Sequence, residues 1–103
     1  MSIEYHYTKN DVTLFWLGSR PDYCNRGKWH ASVDAKHQRS DADPMPRYYF
    51  NYQHGMEEML RWAIVHRIDC TGGQWRRIAY NDAMEKTSEP MVGPTPETLQ
   101  ELP

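Results

Sequence analysis

Cysteine is scarce in this sequence: Cys24 and Cys70 are the only two among 103 residues. One bridge at most can form. No feature points to an oxidising compartment, so both read as free thiols in a cytoplasmic protein. Paired C-x-x-C spacing is absent, which removes the usual zinc frameworks. No apolar run reaches the length of a membrane span, and the start, MSIEYHYT, has no signal-peptide pattern. Neither sign of charge dominates: 12 basic side chains face 14 acidic ones, a net charge of −2. The chain therefore lacks the global basic footprint of a nucleic-acid binder. It has no Gly-x-Ser-x-Gly elbow. Its one glycine pair, Gly72-Gly73, follows a helical stretch, whereas phosphate-binding loops precede one. What is present is a globular composition, 39% apolar and 25% charged, with seven Tyr and four Trp. That suits one domain, large enough to fold alone with little margin.

The stretch Gly55–Asp69, GMEEMLRWAIVHRID, organises the rest. Met56, Leu60, Ala63 and Ile64 recur at helical spacing, and Met59 and Ile68 widen the apolar stripe. Glu57 and Glu58 in the first turn and His66 and Arg67 in the last suit the helix dipole. Glu57 stands four residues before Arg61, a favourable pair. Thr71-Gly72-Gly73 is the expected stop.

Strands precede this helix. Ile3, Tyr5 and Tyr7 alternate with Glu4, His6 and Thr8, and Lys9-Asn10-Asp11 reads as a turn. Val12–Leu17 is a nearly continuous apolar run, as in a central strand covered on both faces. Gly18 to Gly27 is punctuated as a loop. Over Lys28–Asp34, Trp29, Ala31 and Val33 face one way, and Lys28, His30 and Ser32 the other. Residues 35–46 form a polar connection ending in two prolines. Arg47–Tyr52 reads as a strand with Tyr48, Phe50 and Tyr52 inward and Arg47, Tyr49 and Asn51 outward. After the helix, Gln74–Tyr80 reads as a strand with Ile78 and Tyr80 on one side; a helix would instead group Trp75, Ile78 and Ala79. Asp82 and Glu85 form a capping-box pattern for a short helix over Ala83–Thr87. From Ser88 the Pro/Glu-rich composition predicts a disordered tail. The expected architecture is α+β: an antiparallel sheet of four to five strands with one long helix on one face, in a single domain over 1–87 with a tail over 88–103.

Chemistry-bearing residues do not converge on a reaction. His66 and Cys70, four apart, share a helix face and with Cys24 and His30 would offer four zinc-type ligands. A buried thiol beside a helix-terminal histidine is the plainer account. Asp41 and Asp43 sit in a loop unsuited to catalytic geometry. His30, His37 and His54 form no pair that the sequence establishes. The expectation is a non-enzymatic protein with no metal and no cofactor, with a small metal- or histidine-dependent enzyme as the further alternative.

Arginines and aromatics are more suggestive. Arg20, Tyr23, Arg26, Lys28 and His30 come from one loop and strand, Arg47 and Tyr49 from a second segment, and Trp75, Arg76 and Arg77 from a third. Such side chains anchor protein interfaces. They also serve to bind single-stranded nucleic acid by stacking and phosphate contact. The ordinary alternative is that Trp75 and Tyr49 are partly core and the arginines solvate the surface. Low positive charge favours a protein partner over a nucleic acid. The MSIEYHYTKN start, the aromatic strands, the lone helix and the NDAMEK segment together resemble the small inhibitors of host defence carried by bacteriophages, anti-CRISPR proteins in particular. That resemblance covers the profile of residues 1–87 and carries no diagnostic motif. It implies a protein of the bacterial cytoplasm that binds a CRISPR effector complex and blocks target-DNA binding or nuclease recruitment.

Overall fold

A computed structural model describes residues 2–18, 29–34 and 45–100. In chain order the elements are β1 (Ser2–Lys9), β2 (Val12–Gly18), β3 (Trp29–Val33), β4 (Tyr48–Tyr49), α1 (Tyr52–Val65), β5 (Gln74–Tyr80), β6 (Lys86–Met91) and α2 (Pro96–Gln100). The fold is α+β, as expected. Its antiparallel sheet has six strands rather than four or five, in the order β4-β3-β2-β1-β5-β6. The first four strands form a meander. Helix α1 then carries the chain back so that β5 pairs with β1, which becomes a central strand.

The alternation in β1 sets the two faces. Tyr5 and Tyr7 are buried with Phe15 and Leu17 of β2 and Ala31 and Val33 of β3. On β5 the matching positions are Trp75, Arg77 and Ala79, opposite Tyr7, Tyr5 and Ile3. This face receives Met56, Met59, Leu60 and Ala63 of α1. A bulge between Tyr7 and Thr8 shifts the register, and Leu14 of β2 is buried there as well. Asn10 and Asp11 turn the chain between β1 and β2 with φ of 53° and 64°, a conformation their short polar side chains tolerate.

The helix begins earlier and ends earlier than the periodicity indicates. Asn51 caps it: its Oδ1 accepts from the N–H of Gln53 at 2.8 Å and of His54 at 3.2 Å. It stops at His66, not at the glycine pair. The Arg67 N–H reaches the Ile64 carbonyl and the Ile68 N–H the Ala63 carbonyl, with Arg67 at φ 59° in the position glycine usually takes. Ile64 is only half buried, Glu58 pairs with Arg61 at 3.7 Å, and the shifted bounds leave no acid in the first turn and no base in the last, against the expected dipole pattern.

The expected tail is the largest difference. Residues 81–85 form a turn rather than a short helix, and Lys86–Met91 pairs with β5 along its whole length. The chain then crosses the core: Trp75 donates its indole N–H to the Pro94 carbonyl at 2.8 Å, and Leu99 of α2 is buried. Among the described residues, no helix is long and apolar enough to cross a membrane.

Candidate interaction surface

Four of the nine residues singled out in sequence, Arg20, Tyr23, Arg26 and Lys28, lie outside the described residues. The other five do not form one surface. Trp75 is a core residue, 2% exposed, with its ring 5.1 Å from that of Tyr7. Arg76 and Arg77, adjacent on a strand, point to opposite faces. Arg76 lies on the face away from α1, where its Nε donates to Ser88 Oγ at 2.7 Å and its Nη2 to the Ser88 carbonyl at 3.2 Å. Arg77 lies on the helix side beside Tyr5. Burial and the nearby Tyr52 push the Tyr5 hydroxyl up, and the Arg77 guanidinium partly offsets this.

The remaining two are on or beside β4, and there the expected facing is inverted. Tyr49 is buried, whereas Tyr48 is 40% and Phe50 80% exposed. The reason is register. Tyr49 pairs with Trp29, whose strand turns Trp29, Ala31 and Val33 inward, so Tyr48 must face outward beside His30. A glycine early in α1 makes room for the Tyr49 ring: a Cβ on Gly55 would stand 3.2 Å from it. Burial and, secondarily, Glu58 push the Tyr49 phenol up to about 12.

Arg47 is exposed, and its carbonyl accepts from the Ala31 N–H at 2.7 Å, which fixes it to the sheet edge. The resulting corner exposes Tyr48 on the edge strand and Arg47 and Phe50 beside it, with His30 against Tyr48 at a ring separation of 5.5 Å. Arg, Tyr and Phe are enriched in interface cores. Hydrophobic periodicity missed Tyr48 and Phe50 because neighbouring positions are aromatic too.

The face opposite α1 carries a second arrangement. Direct cross-strand partners place Ser32, Trp16, His6, Arg76 and Pro90 in one row across five strands. His6 stands edge-on to Trp16 at 6.2 Å and donates to Glu4 Oε1 at 2.9 Å.

Of the four zinc-type ligands, Cys24 lies outside the described residues, and the other three are not grouped. His66 packs its ring on Trp62 at 4.5 Å, His30 lies at the β4 corner, and Cys70 is a buried free thiol. Among the described residues, no three His, Cys, Asp or Glu side chains are grouped to hold a metal. A cleft of about 230 Å³ lies between the end of α1 and α2, with Ile64, Ile68, Cys70 and Pro96 in its lining. That is smaller than the ~300–1,000 Å³ of sites for drug-sized ligands. Asp69, also in the lining, is held well below the usual carboxylate range by hydrogen bonds from Thr71 and by Lys9, whose Nζ is 2.9 Å away. Compared with protein-family models, curated proteins and solved structures, the chain finds no match in any of the three.

Proposed function

We propose that the protein acts without turnover, by occupying a protein partner through the β4 corner. The carrying observation is that Tyr48 of the edge strand and its flanking residues Arg47 and Phe50 are all exposed, while Tyr49 between them is locked inside. Large rings held outward on a fixed backbone lose little conformational freedom on binding, which is how interface anchors gain affinity. Arg47 adds a planar fork able to pair with a carboxylate or lie on a ring. The resemblance to phage-borne inhibitors supplies the partner class: a CRISPR effector complex, with target-DNA binding or nuclease recruitment as the blocked step.

The test is binding to a panel of purified CRISPR effector complexes, with target-DNA capture as the second readout. One or two of Arg47→Ala, Tyr48→Ala and Phe50→Ala should weaken binding by about 2 kcal/mol, roughly thirtyfold, and leave melting unchanged. If all three bind like the parent, the corner is not the anchor.

The row Trp16–His6–Arg76 favours a second reading, a single-stranded nucleic-acid module that stacks bases on the open sheet face. Oligonucleotide binding that falls steeply with salt and is lost in Trp16→Ala would select it.

A further inference from the structure

The loop joining β5 to β6 is built by one residue. The Asn81 N–H donates to the Glu85 carbonyl at 3.1 Å, and the Asn81 carbonyl accepts from the Met84 N–H at 2.9 Å. Its Oδ1 accepts from the N–H groups of Ala83 and Glu85, both at 2.9 Å. This is the three-residue hairpin in which a turn is followed by one left-handed residue. Glycine normally fills that position because a Cβ there crowds the following carbonyl. Here it is Met84, at φ 61° and 75% exposed.

The fold recovers little for this strain, since most of the side chain lies in solvent. Met84 is one of four described non-glycine residues with positive φ. Asn10 and Asp11 belong to types that tolerate the conformation, and Arg67 closes a helix with a polar side chain. Met84 alone holds an apolar side chain out in solvent. Strained conformations that a fold retains cluster where ligands and partners are met. A thioether side chain is flexible and polarizable, suited to filling an irregular apolar recess.

The surroundings narrow the partner. Asp82, Glu85, Lys86 and Glu89 are all exposed on the loop and the adjoining strand, three acids to one base. Cross-strand pairs running Tyr80–Ser2, Glu4–Gly18, Gly18–His30 and His30–Tyr48 put the loop at the same end of the sheet as the β4 corner. We infer that Met84 is a docking knob, received by an apolar socket with a basic rim on the protein partner that the β4 corner binds. The inference rests on the protein-binding reading and extends its contact surface across the sheet end.

Two measurements on Met84→Gly and Met84→Leu test it: melting of the free protein, and affinity for the effector complexes of the panel. Met84→Gly should melt at or above the parent temperature and bind at least about tenfold more weakly. Met84→Leu should keep most of the affinity, and parent and variant alike should bind more tightly at low salt, where the acids around Met84 are less screened from a basic rim. A clear drop in melting temperature for Met84→Gly would make Met84 a structural residue and overturn the inference without any partner. Parent-like binding by Met84→Gly, alongside weakened Arg47, Tyr48 or Phe50 variants, would overturn it and leave the protein-binding reading intact. A parent protein that binds no complex would overturn both.

Discussion

Gly72 and Gly73 are neighbours that the fold keeps for different reasons, and replacing each by alanine separates them. Gly72 has φ 79°, and a Cβ built there meets nothing within 4 Å. Gly72→Ala should therefore cost only the left-handed penalty, about 1–2 kcal/mol. Gly73 has no such φ, but its Cβ would stand 2.4 Å from Cε1 and Cζ of Tyr7 and 2.6 Å from the hydroxyl. That ring is fully buried between Phe15 and Trp75, and its hydroxyl donates to the Cys70 carbonyl. It cannot retreat without displacing both rings. Overpacking of a tight core costs about 1–3 kcal/mol. Pulling the hydroxyl off a buried carbonyl adds about 1–3 kcal/mol more. The sum, about 2–6 kcal/mol, is a large part of the roughly 5–15 kcal/mol that holds a domain together. Urea denaturation measures both variants, with stability read from the midpoint at constant slope. On heating, Gly73→Ala should melt some 10 °C or more below the parent, at about 4–8 °C per kcal/mol for a domain near this size. A Gly73→Ala variant as stable as Gly72→Ala would show that the Tyr7 ring is not locked against this backbone.

Two further outcomes follow from the same core. Deleting residues 94–103 removes the acceptor of the Trp75 indole N–H and the buried Leu99, so melting should fall by several degrees; an unchanged melting curve would show that these last ten residues do not hold the core. Burial pushes the Cys70 thiol from 9.0 up to about 11, so the fold favours its protonated form. That contribution is complete below pH 9 and is lost as pH rises toward 11. Native Cys70 should resist alkylation at neutral pH and react once the chain is denatured, and Cys70→Ala should reduce the stability loss between pH 9 and 11, the buried tyrosines keeping the rest. Rapid alkylation of the native thiol would contradict its burial.

Strands whose two sides differ in polarity were readable. In β1, Tyr5 and Tyr7 alternate with polar residues, and the structure follows that alternation. In β5, Gly72-Gly73 and the aromatic ends correctly favoured a strand, but its polarity does not alternate: the side turned to α1 is Trp75, Arg77 and Ala79, opposite to Ile78 and Tyr80. Strand β6 gave no comparable signal: from Lys86 to Pro90 every residue is exposed, so no apolar period marks it. Its proline also argued for a tail, yet Pro90 is compatible with an edge strand. Lacking an N–H, it can oppose Arg76 with its nitrogen turned to solvent, and Arg76 covers the outward Ser88 carbonyl. Composition recorded the polarity of this segment and missed that an edge strand can be polar throughout.

The candidate surface was hidden by the opposite condition, too much aromaticity. Tyr48, Tyr49, Phe50 and Tyr52 occupy both parities of the segment, so a period of two cannot say which set is buried. A slip of one residue then exchanges the faces. What decides it lies on other elements: Trp29 across the sheet, and Gly55, which leaves space for the Tyr49 ring. Gly55 was visible in sequence as a residue poorly suited to a helix. A glycine there costs helix stability unless something occupies the space of its missing side chain, and the nearby large ring is Tyr49. Placing Tyr49 inside puts Tyr48 and Phe50 outside, and with them the corner on which the binding proposal stands.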